Sequence, residues 1–462
     1  MTPRPLTLAD GLTRDYLLHH RVCPIAFTES GAVRVSAAPD ALLDDALDDL
    51  RFVYGAEVVI EPVTASDVER AIERLTTRAG RDIELASVDH VDERTADVRD
   101  LATQPPVVRF VNLLVRDAYD AGASDIHLES VRSGLGVRFR LDGVLAPAPE
   151  PPVEHAHAVV SRIKLLAELD IAERRRPQDG RIRVRLEDRE LDLRVSTVPT
   201  LFGESVVLRL LDRGGRPVAL EELGMPAGIL ASVSRLAARP HGMILVTGPT
   251  GSGKTTTLYA ALQRRDTKAE KIITVEDPVE YELPGITQVP VHRQAGVTFA
   301  AALRSILRQD PDVVMLGEMR DPETAEVAVQ AAMTGHVVFS TLHTNDAVSA
   351  IPRLVDLGVP PYLIAATLDG VLAQRLVRKI CEACRGEQCP ACRSTGYRGR
   401  LGVFELFPVD EEAKAAIVAG VSRAELSALA RAKGMRTLAQ DGEDKVAAGA
   451  TTIEEVMRAA ES

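Results

Sequence analysis

Over its second half the chain switches between short continuous apolar runs and stretches where apolar positions recur every three or four residues. "MILVTG", "KIITVED", "DVVMLGE" and "HVVFSTL" have the first pattern, and helical stretches separate them. Short buried strands alternating with helices predict an α/β unit from about residue 217, built on a parallel, doubly wound sheet. Ligands of such sheets sit beyond the carboxyl ends of the strands. Upstream, "PVVRFVNLLVRDAYDAGASD" predicts a helix opened by Pro106, with Val107, Phe110, Val111, Leu114 and Ala118 on one face. "GLGVRFRLDGVL" alternates as one strand, and "GRIRVRLEDRELDLRVST" as two strands joined by a tight turn at Glu187 to Arg189. This second module ends near Arg216.

Residues 1–99 hold short apolar stretches, "VCPIAF" and "AEVVIEPV", and a helical pattern through Val68, Ile72 and Leu75, which predicts a small α/β module. The polar "VDHVDERTADVRD" reads as a linker. Beyond Gly402 the pattern predicts short helices, including "SRAELSALARAKG" and "TIEEVMRAA", each opened by a Ser or Thr able to cap it. No internal repeat or low-complexity segment interrupts this order.

Composition narrows the classes. A chain of 462 residues has room for about three domains. Aromatics at 3% and the absence of Trp argue against a base-stacking surface. The net charge of −12 argues against gripping a phosphate backbone, which needs clustered, uncompensated Lys and Arg. The first residues lack the apolar core of a secretory signal, and no run of about 18 apolar residues occurs, so a cytoplasmic protein is expected.

Four of the five cysteines, Cys381, Cys384, Cys389 and Cys392, follow C-x-x-C-x4-C-x-x-C. Four thiolates close the tetrahedral shell of Zn²⁺, so a structural zinc is expected, a redox pair being the rival. Cys23 reads as a small buried apolar side chain.

"TGPTGSGKTTTLY" carries the densest chemistry. Gly248, Gly251, Gly253, Lys254 and Thr255 fit G-x-x-x-x-G-K-[ST], after one predicted strand and before one predicted helix. The glycines let backbone N–H groups turn toward phosphates, Lys254 supplies a point charge, and Thr255 offers a hydroxyl to Mg²⁺. Pro249, Thr250, Ser252 and Thr256 complete the nucleotide-binding set. Glu276, Asp277 and Glu280 cluster after the next strand, where a carboxylate can orient water and Mg²⁺. Glu318 ends "DVVMLGE" as a Walker B acid, and His336 and His343 flank "VVFSTL"; a lone histidine there is more often structural than catalytic.

Together these stretches resemble the secretion ATPases of the type II secretion and type IV pilus superfamily, most closely the GspE family. "GASDIHLE", "RRRPQDGRI", "LDLRVSTVPT", "ITVEDPVEY", "LRQDPDVVMLGEMRD" and "MTGHVVFSTLHTND" carry the resemblance with the P-loop and the tetracysteine, from about residue 100 onward. It implies a RecA-like ATPase core over 217–375, a PAS-like second domain over 100–216 and a zinc subdomain over 376–400. A helical end over 401–462 and an N-terminal docking module over 1–99 complete the expected order. The implied protein is a cytoplasmic, homo-hexameric motor, peripheral to the inner membrane, that uses ATP, Mg²⁺ and Zn²⁺ to drive pseudopilus assembly and protein export. Its implied partners are a GspL-like inner-membrane protein at the N-terminal module and a GspF-like platform protein, with no nucleic acid and no direct membrane insertion. Glu276 matches the water-orienting carboxylate, Glu318 the Walker B acid and His343 the nucleotide-sensing His box. Arg181 and Arg194 match arginines brought from the second domain toward the phosphates. The gap between the cysteine pairs is shorter than in many relatives. The first module lacks an evident cyclic-dinucleotide signature, so that ligand is not expected. Pilus extension is the nearest alternative; a nucleic-acid translocase and a non-hydrolysing scaffold are further ones.

Overall fold

A computed structural model describes residues 14–28, 32–41, 43–54, 56–79, 84–85, 102–186, 189–212 and 218–461. The acidic linker and the second-module boundary near Arg216 lie outside them, as do Glu187 and Asp188 of the expected turn. Three sheets organise the rest.

The first sheet takes its strands from α1 (Arg14–His20), β1 (Val22–Phe27), β2 (Val33–Ala37), α2 (Leu43–Tyr54), β3 (Val58–Pro62) and α3 (Ala65–Ala79), with the order β1-β2-β3. Leu17, Val33, Val35, Leu50, Val68 and Ile72 pack into one core with Cys23, which is fully buried. Burial pushes the Cys23 thiol up to about 12, as an inert apolar side chain requires.

The second sheet is antiparallel throughout. It follows β4 (Glu84–Leu85), α4 (Pro105–Asp120), β5 (Ala123–Val131), β6 (Gly134–Leu141), β7 (Val144–Pro147), α5 (Ala156–Leu166), β8 (Gln178–Leu186), β9 (Arg189–Thr200) and β10 (Gly203–Asp212), in the order β4-β8-β9-β10-β5-β6-β7. Both helices cover one face, α4 burying Val107, Val111, Leu114, Val115 and Ala118 against Ile126, Leu128, Leu193 and Val206. The period-2 pattern therefore turns Arg181, Arg194 and Arg209 to the opposite face. "GLGVRFRLDGVL" is two strands, not the expected one. Asp142 and Gly143 sit at φ 49° and 88°, the left-handed pair that a two-residue hairpin demands.

The third sheet holds the P-loop. Its elements are α6 (Ala227–Ala237), β11 (Gly242–Thr247), α7 (Lys254–Leu262), β12 (Ile272–Glu276), β13 (Thr287–Pro290), α8 (Phe299–Ile306), β14 (Val313–Leu316), α9 (Pro322–Met333), β15 (Val337–Leu342), α10 (Ala350–Asp356), α11 (Pro361–Thr367), β16 (Leu368–Ile380) and β17 (Tyr397–Pro408). Strand order is β13-β12-β14-β15-β11-β16-β17, parallel except for β17 on β16. The four expected strands are present at its centre. The β16–β17 hairpin runs through residues 375 and 400, where separate units were expected, and "LGVFELFP" is strand, not helix. Val403 and Phe404 are buried there, which makes this strand part of the core. The expected helices follow: α12 (Glu411–Val418), α13 (Arg423–Ala432), α14 (Leu438–Ala447) and α15 (Ile453–Glu461). Ser422 caps α13 through Glu425 N at 3.3 Å, and Thr452 accepts from Glu455 N at 3.4 Å. Among the described residues no helix is long and apolar enough to cross a membrane.

Candidate nucleotide site and tetracysteine centre

β11 ends at Thr247, and the next six residues turn back into α7 through three glycines of positive φ, Gly248 (152°), Gly251 (80°) and Gly253 (85°). A Cβ on Gly248 would lie 2.5 Å from Gln374 O, and one on Gly253 2.7 Å from Gln374 Nε2, so β16 presses the loop into shape. Thr257 Oγ1 also donates to Gln374 Oε1 at 2.6 Å, tying α7 to the same side chain. Lys254 Nζ donates to Gly248 O and Pro249 O, both at 2.8 Å. Burial draws its ammonium down to about 8, against the pull of Glu318. Ser252 Oγ is buried and unpartnered, and Thr255 opens the first turn of α7. Left-handed glycines, a lysine, an orphaned hydroxyl and a helix N-terminus form a cradle that fits a polyphosphate.

The ends of β14 and β15 bring up the rest. Glu318 takes Arg320 Nε at 2.5 Å and lies 3.5 Å from His343 Nε2. Burial, then Lys254, lower the His343 pKa, so the ring is neutral at pH 7 and its contact with Glu318 is a hydrogen bond. Thr344 N donates to Thr247 Oγ1 at 2.8 Å, fixing the His343 loop to the root of the P-loop. Thr341 Oγ1 donates to Gly317 O at 2.6 Å, fixing the Glu318 turn to β15. His336 lies at the other end of β15, its Nδ1 beside Ala331 O at 2.9 Å, a structural contact.

The acids after β12 have separate environments. Glu276 is 2% exposed. Tyr259 Oη donates to its Oε2, while Thr274 Oγ1 (2.5 Å) and Gln288 Nε2 (3.1 Å) donate to its Oε1. Both carboxylate oxygens of Glu276 thus have protein donors. Asp277 pairs with Arg293 at 3.3 Å. Glu280 is reached by solvent, yet crowding by the protein raises its pKa, with Arg194 and Arg209 pulling the other way and Glu276 adding to the rise. Desolvation lowers the Arg194 pKa and Glu280 counters it, so this guanidinium of the second sheet is within electrostatic reach of the loop after β12. Arg181 stands directly opposite Arg194 across β8 and β9 and is exposed. Sequence patterns gave no sign of Gln374, Tyr259 or Gln288, because each reads as part of an ordinary strand or helix. Their roles come from contacts between distant segments.

At the far end of the β16–β17 hairpin the four cysteine sulfurs lie within 4.8 Å of one another. Sγ separations are 3.9 Å (Cys381–Cys389), 3.8 Å (Cys384–Cys392) and 3.6 Å (Cys389–Cys392). Tetrahedral zinc with Zn–S bonds of about 2.3 Å requires sulfurs about 3.8 Å apart, so the donor set fits that ion. Gly396 N and Cys389 N donate to Cys392 Sγ at 3.3 and 3.4 Å, the amide support that a thiolate needs.

Comparison with known proteins places these features. Residues 100–458 match the family described as type II/IV secretion system protein, and residues 2–82 match the MshEN domain. The type II secretion system protein HxcR of Pseudomonas aeruginosa is 53% identical over 379 residues, covering 80% of this chain and 81% of that one. Type II secretion system protein E of Xanthomonas campestris pv. campestris is 44% identical, covering 99% and 86%. The type IV pilus assembly ATPase PilB of Myxococcus xanthus is 44% identical, covering 95% and 84%. The crystal structure of the pilus retraction motor PilT with bound ADP superposes with a TM-score of 0.54 at 31% identity, over 75% of this chain and 95% of that one. The chain belongs to the type II/IV secretion system protein family, and its third sheet is the P-loop ATPase core of that family.

Proposed function

We propose that this chain is the ATP-hydrolysing motor of a type II secretion system, converting hydrolysis into motion of the second sheet against the P-loop core. The observation that carries this reading is the convergence of Lys254, Glu318 and His343 at the carboxyl ends of β11, β14 and β15, with Arg194 facing the loop after β12 from another sheet. Residues 248–256 would hold the nucleotide and Thr255 the Mg²⁺, which neutralises phosphate charge when bound. Glu318 holds the neutral His343 beside the phosphate lysine. Arg194 and Arg181 offset charge developing on the transferred phosphoryl group. Of the acids after β12, Glu280 takes the water-orienting part, because solvent reaches it. Glu276 anchors the strand end through Tyr259, Thr274 and Gln288.

In this reading the tetracysteine holds a structural zinc, and residues 1–99 dock the motor to a GspL-like protein at the cytoplasmic face of the inner membrane. Six copies form a ring beneath a GspF-like platform. Steady-state ATP turnover of the assembled protein tests the core claim. Arg194→Ala and Glu280→Gln lower kcat at least about tenfold, whereas Glu276→Gln chiefly lowers Tm. Unchanged kcat in Arg194→Ala would remove the second sheet from the mechanism. Pilus assembly is a second reading, favoured by the PilB relative being as similar as a protein E relative. Restoration of export, but not of pili, in strains lacking the corresponding ATPase separates the two, and residues 1–99 as bait on inner membranes name the docking partner.

A further inference from the structure

Two cations are buried among the described residues, and the protein serves them differently. Lys164 on α5 lies 2.8 Å from Glu204. Arg375 on β16 is 4% exposed, and among the described residues no carboxylate is in contact with its guanidinium. Nη1 donates to Gln374 O at 3.1 Å, Nη2 donates to Asn345 O at 2.9 Å, and Nε finds no acceptor. Glu405 and Asp346 act on this charge through space alone. A buried charge without a contacting counter-ion is unfavourable. Lys254 has the same arrangement, bonded to backbone carbonyls alone, and the nucleotide reading gives it a ligand's phosphate as counter-ion.

Side chains alternate along β16, so Gln374 meets α7 and the P-loop while Arg375 turns to the other face of the sheet. There it lines a cavity of about 230 Å³ enclosed by β16, β17, α13, α14, α15 and the loop after β15. A cavity of about 150 Å³ holds benzene, so this one has room for about nine or ten non-hydrogen atoms. Its polar wall carries three guanidiniums, Arg375, Arg423 and Arg431, and two carboxylates, Asp346 and Glu405. Both carboxylates are already engaged. Asp346 accepts from Ser349 N (2.7 Å), Ser349 Oγ (2.8 Å) and Arg423 Nη1 (3.1 Å), and Glu405 from Ala347 N (2.8 Å) and Leu438 N (3.2 Å). Burial raises the Glu405 pKa, which weakens it further as a counter-ion. The rest of the lining is chiefly apolar, with Val377, Val403, Leu438, Val456 and Ala459. One uncompensated positive end and an apolar body of this size describe an amphipathic monocarboxylate.

The cavity also backs onto the nucleotide site. A Cβ on Gly248 would lie 3.1 Å from Arg375 Nη1, so the guanidinium stands directly behind the P-loop. Thr344 Oγ1 donates to Asp346 O at 2.9 Å, and Thr344 N to Thr247 Oγ1, so the cavity wall is continuous with the His343 loop and the root of the P-loop.

We propose that this cavity is a regulatory site for a small amphipathic carboxylate, whose charged end pairs with Arg375 and whose hydrocarbon body fills the space under α14 and α15. An anion beside Arg375 offsets part of the positive charge behind the P-loop, so its binding opposes that of nucleotide. The opposition rests on the nucleotide reading above; the site itself does not.

Calorimetric titration of the assembled full-length protein with phenylacetate and octanoate, and with the neutral isostere phenylacetamide, provides the test. At least one of the two carboxylates binds with a Kd below about 1 mM, and phenylacetamide binds at least about tenfold more weakly than phenylacetate. Ala459→Leu, which fills the cavity, and Arg375→Gln each weaken carboxylate binding by at least about tenfold, and Ala459→Leu leaves ATP turnover within about twofold of the parent's. Should Arg375→Gln fail to assemble, Ala459→Leu and Arg431→Gln decide. Saturating carboxylate weakens ATPγS binding by about two- to fivefold in the parent and has no such effect in Ala459→Leu. Binding of neither carboxylate, equal binding of phenylacetate and phenylacetamide, or undiminished binding in Ala459→Leu would overturn the site. Carboxylate binding with unchanged ATPγS affinity would overturn its regulatory role. If the parent binds no ATPγS at all, the nucleotide reading fails and carboxylate binding is judged by the first titrations alone.

Discussion

At the scale of single residues the site is governed by desolvation. Lys254 is the clearest instance, its ammonium drawn from an ordinary 10.5 to about 8 by burial. The folded protein gives up this proton before the unfolded chain does, so the group's contribution to stability rises with pH between about 8 and 10.5. Nucleotide binding runs the other way, because the phosphates need the charge. Affinity for a fluorescent ATP analogue is expected to be about tenfold weaker at pH 9 than at pH 7, and Lys254→Arg flattens the profile. A flat profile in the parent would mean that Lys254 keeps its proton. Glu276 is desolvated too: three protein donors fill most of the roughly four lone-pair sites of its carboxylate, and the side chain is buried at the end of β12.

At the scale of elements, the β16–β17 hairpin joins two functions. Its inner half packs Gln374 against the P-loop glycines, and its outer end carries the four cysteines. The hairpin crosses the boundaries expected at 375 and 400 because thirteen-residue β16 runs unbroken out of the motor sheet, where Gly370 to Arg375 are buried, to the cysteines. Purified protein is expected to carry zinc, and the double substitution Cys384→Ser with Cys392→Ser to release it and lower Tm by roughly 5–10 °C. ATP affinity should stay within about threefold, since Gln374 lies at the other end of the strand. Metal analysis and calorimetry read the first effects, and loss of nucleotide binding on zinc removal would show that the hairpin acts as one rigid lever.

At the scale of the whole molecule, the same hairpin touches the second sheet. Gly399 N donates to Asp142 Oδ2 at 2.8 Å, Arg400 Nε lies 3.9 Å from Asp142 Oδ1, and Arg393 Nη2 donates to Asp117 O at 3.2 Å. These contacts hold the arginine face of one sheet relative to the P-loop of the other. Asp142→Ala is expected to lower kcat by about two- to fivefold through misplacement of Arg194, with nucleotide affinity unchanged. A change in affinity with no change in kcat would mean that the contact serves the pocket and not the movement of the sheets.

Much of this was legible in the chain itself, and the reason is locality. P-loop glycines, the C-x-x-C pairs and the helix caps act within a few residues of sequence, so spacing alone specifies their geometry. Strand periodicity likewise named β11, β12, β14 and β15, because buried parallel strands are continuous apolar runs. The Asp142–Gly143 hairpin was readable from its turn residues but was masked by unbroken alternation on either side. What only tertiary structure decided was which groups stand opposite which: Arg209 beside Arg194, Gln374 under the P-loop, Tyr259 and Gln288 on Glu276. Register and burial between segments far apart in sequence set those pairings, and they determine which charges are spent on the protein and which remain for a ligand.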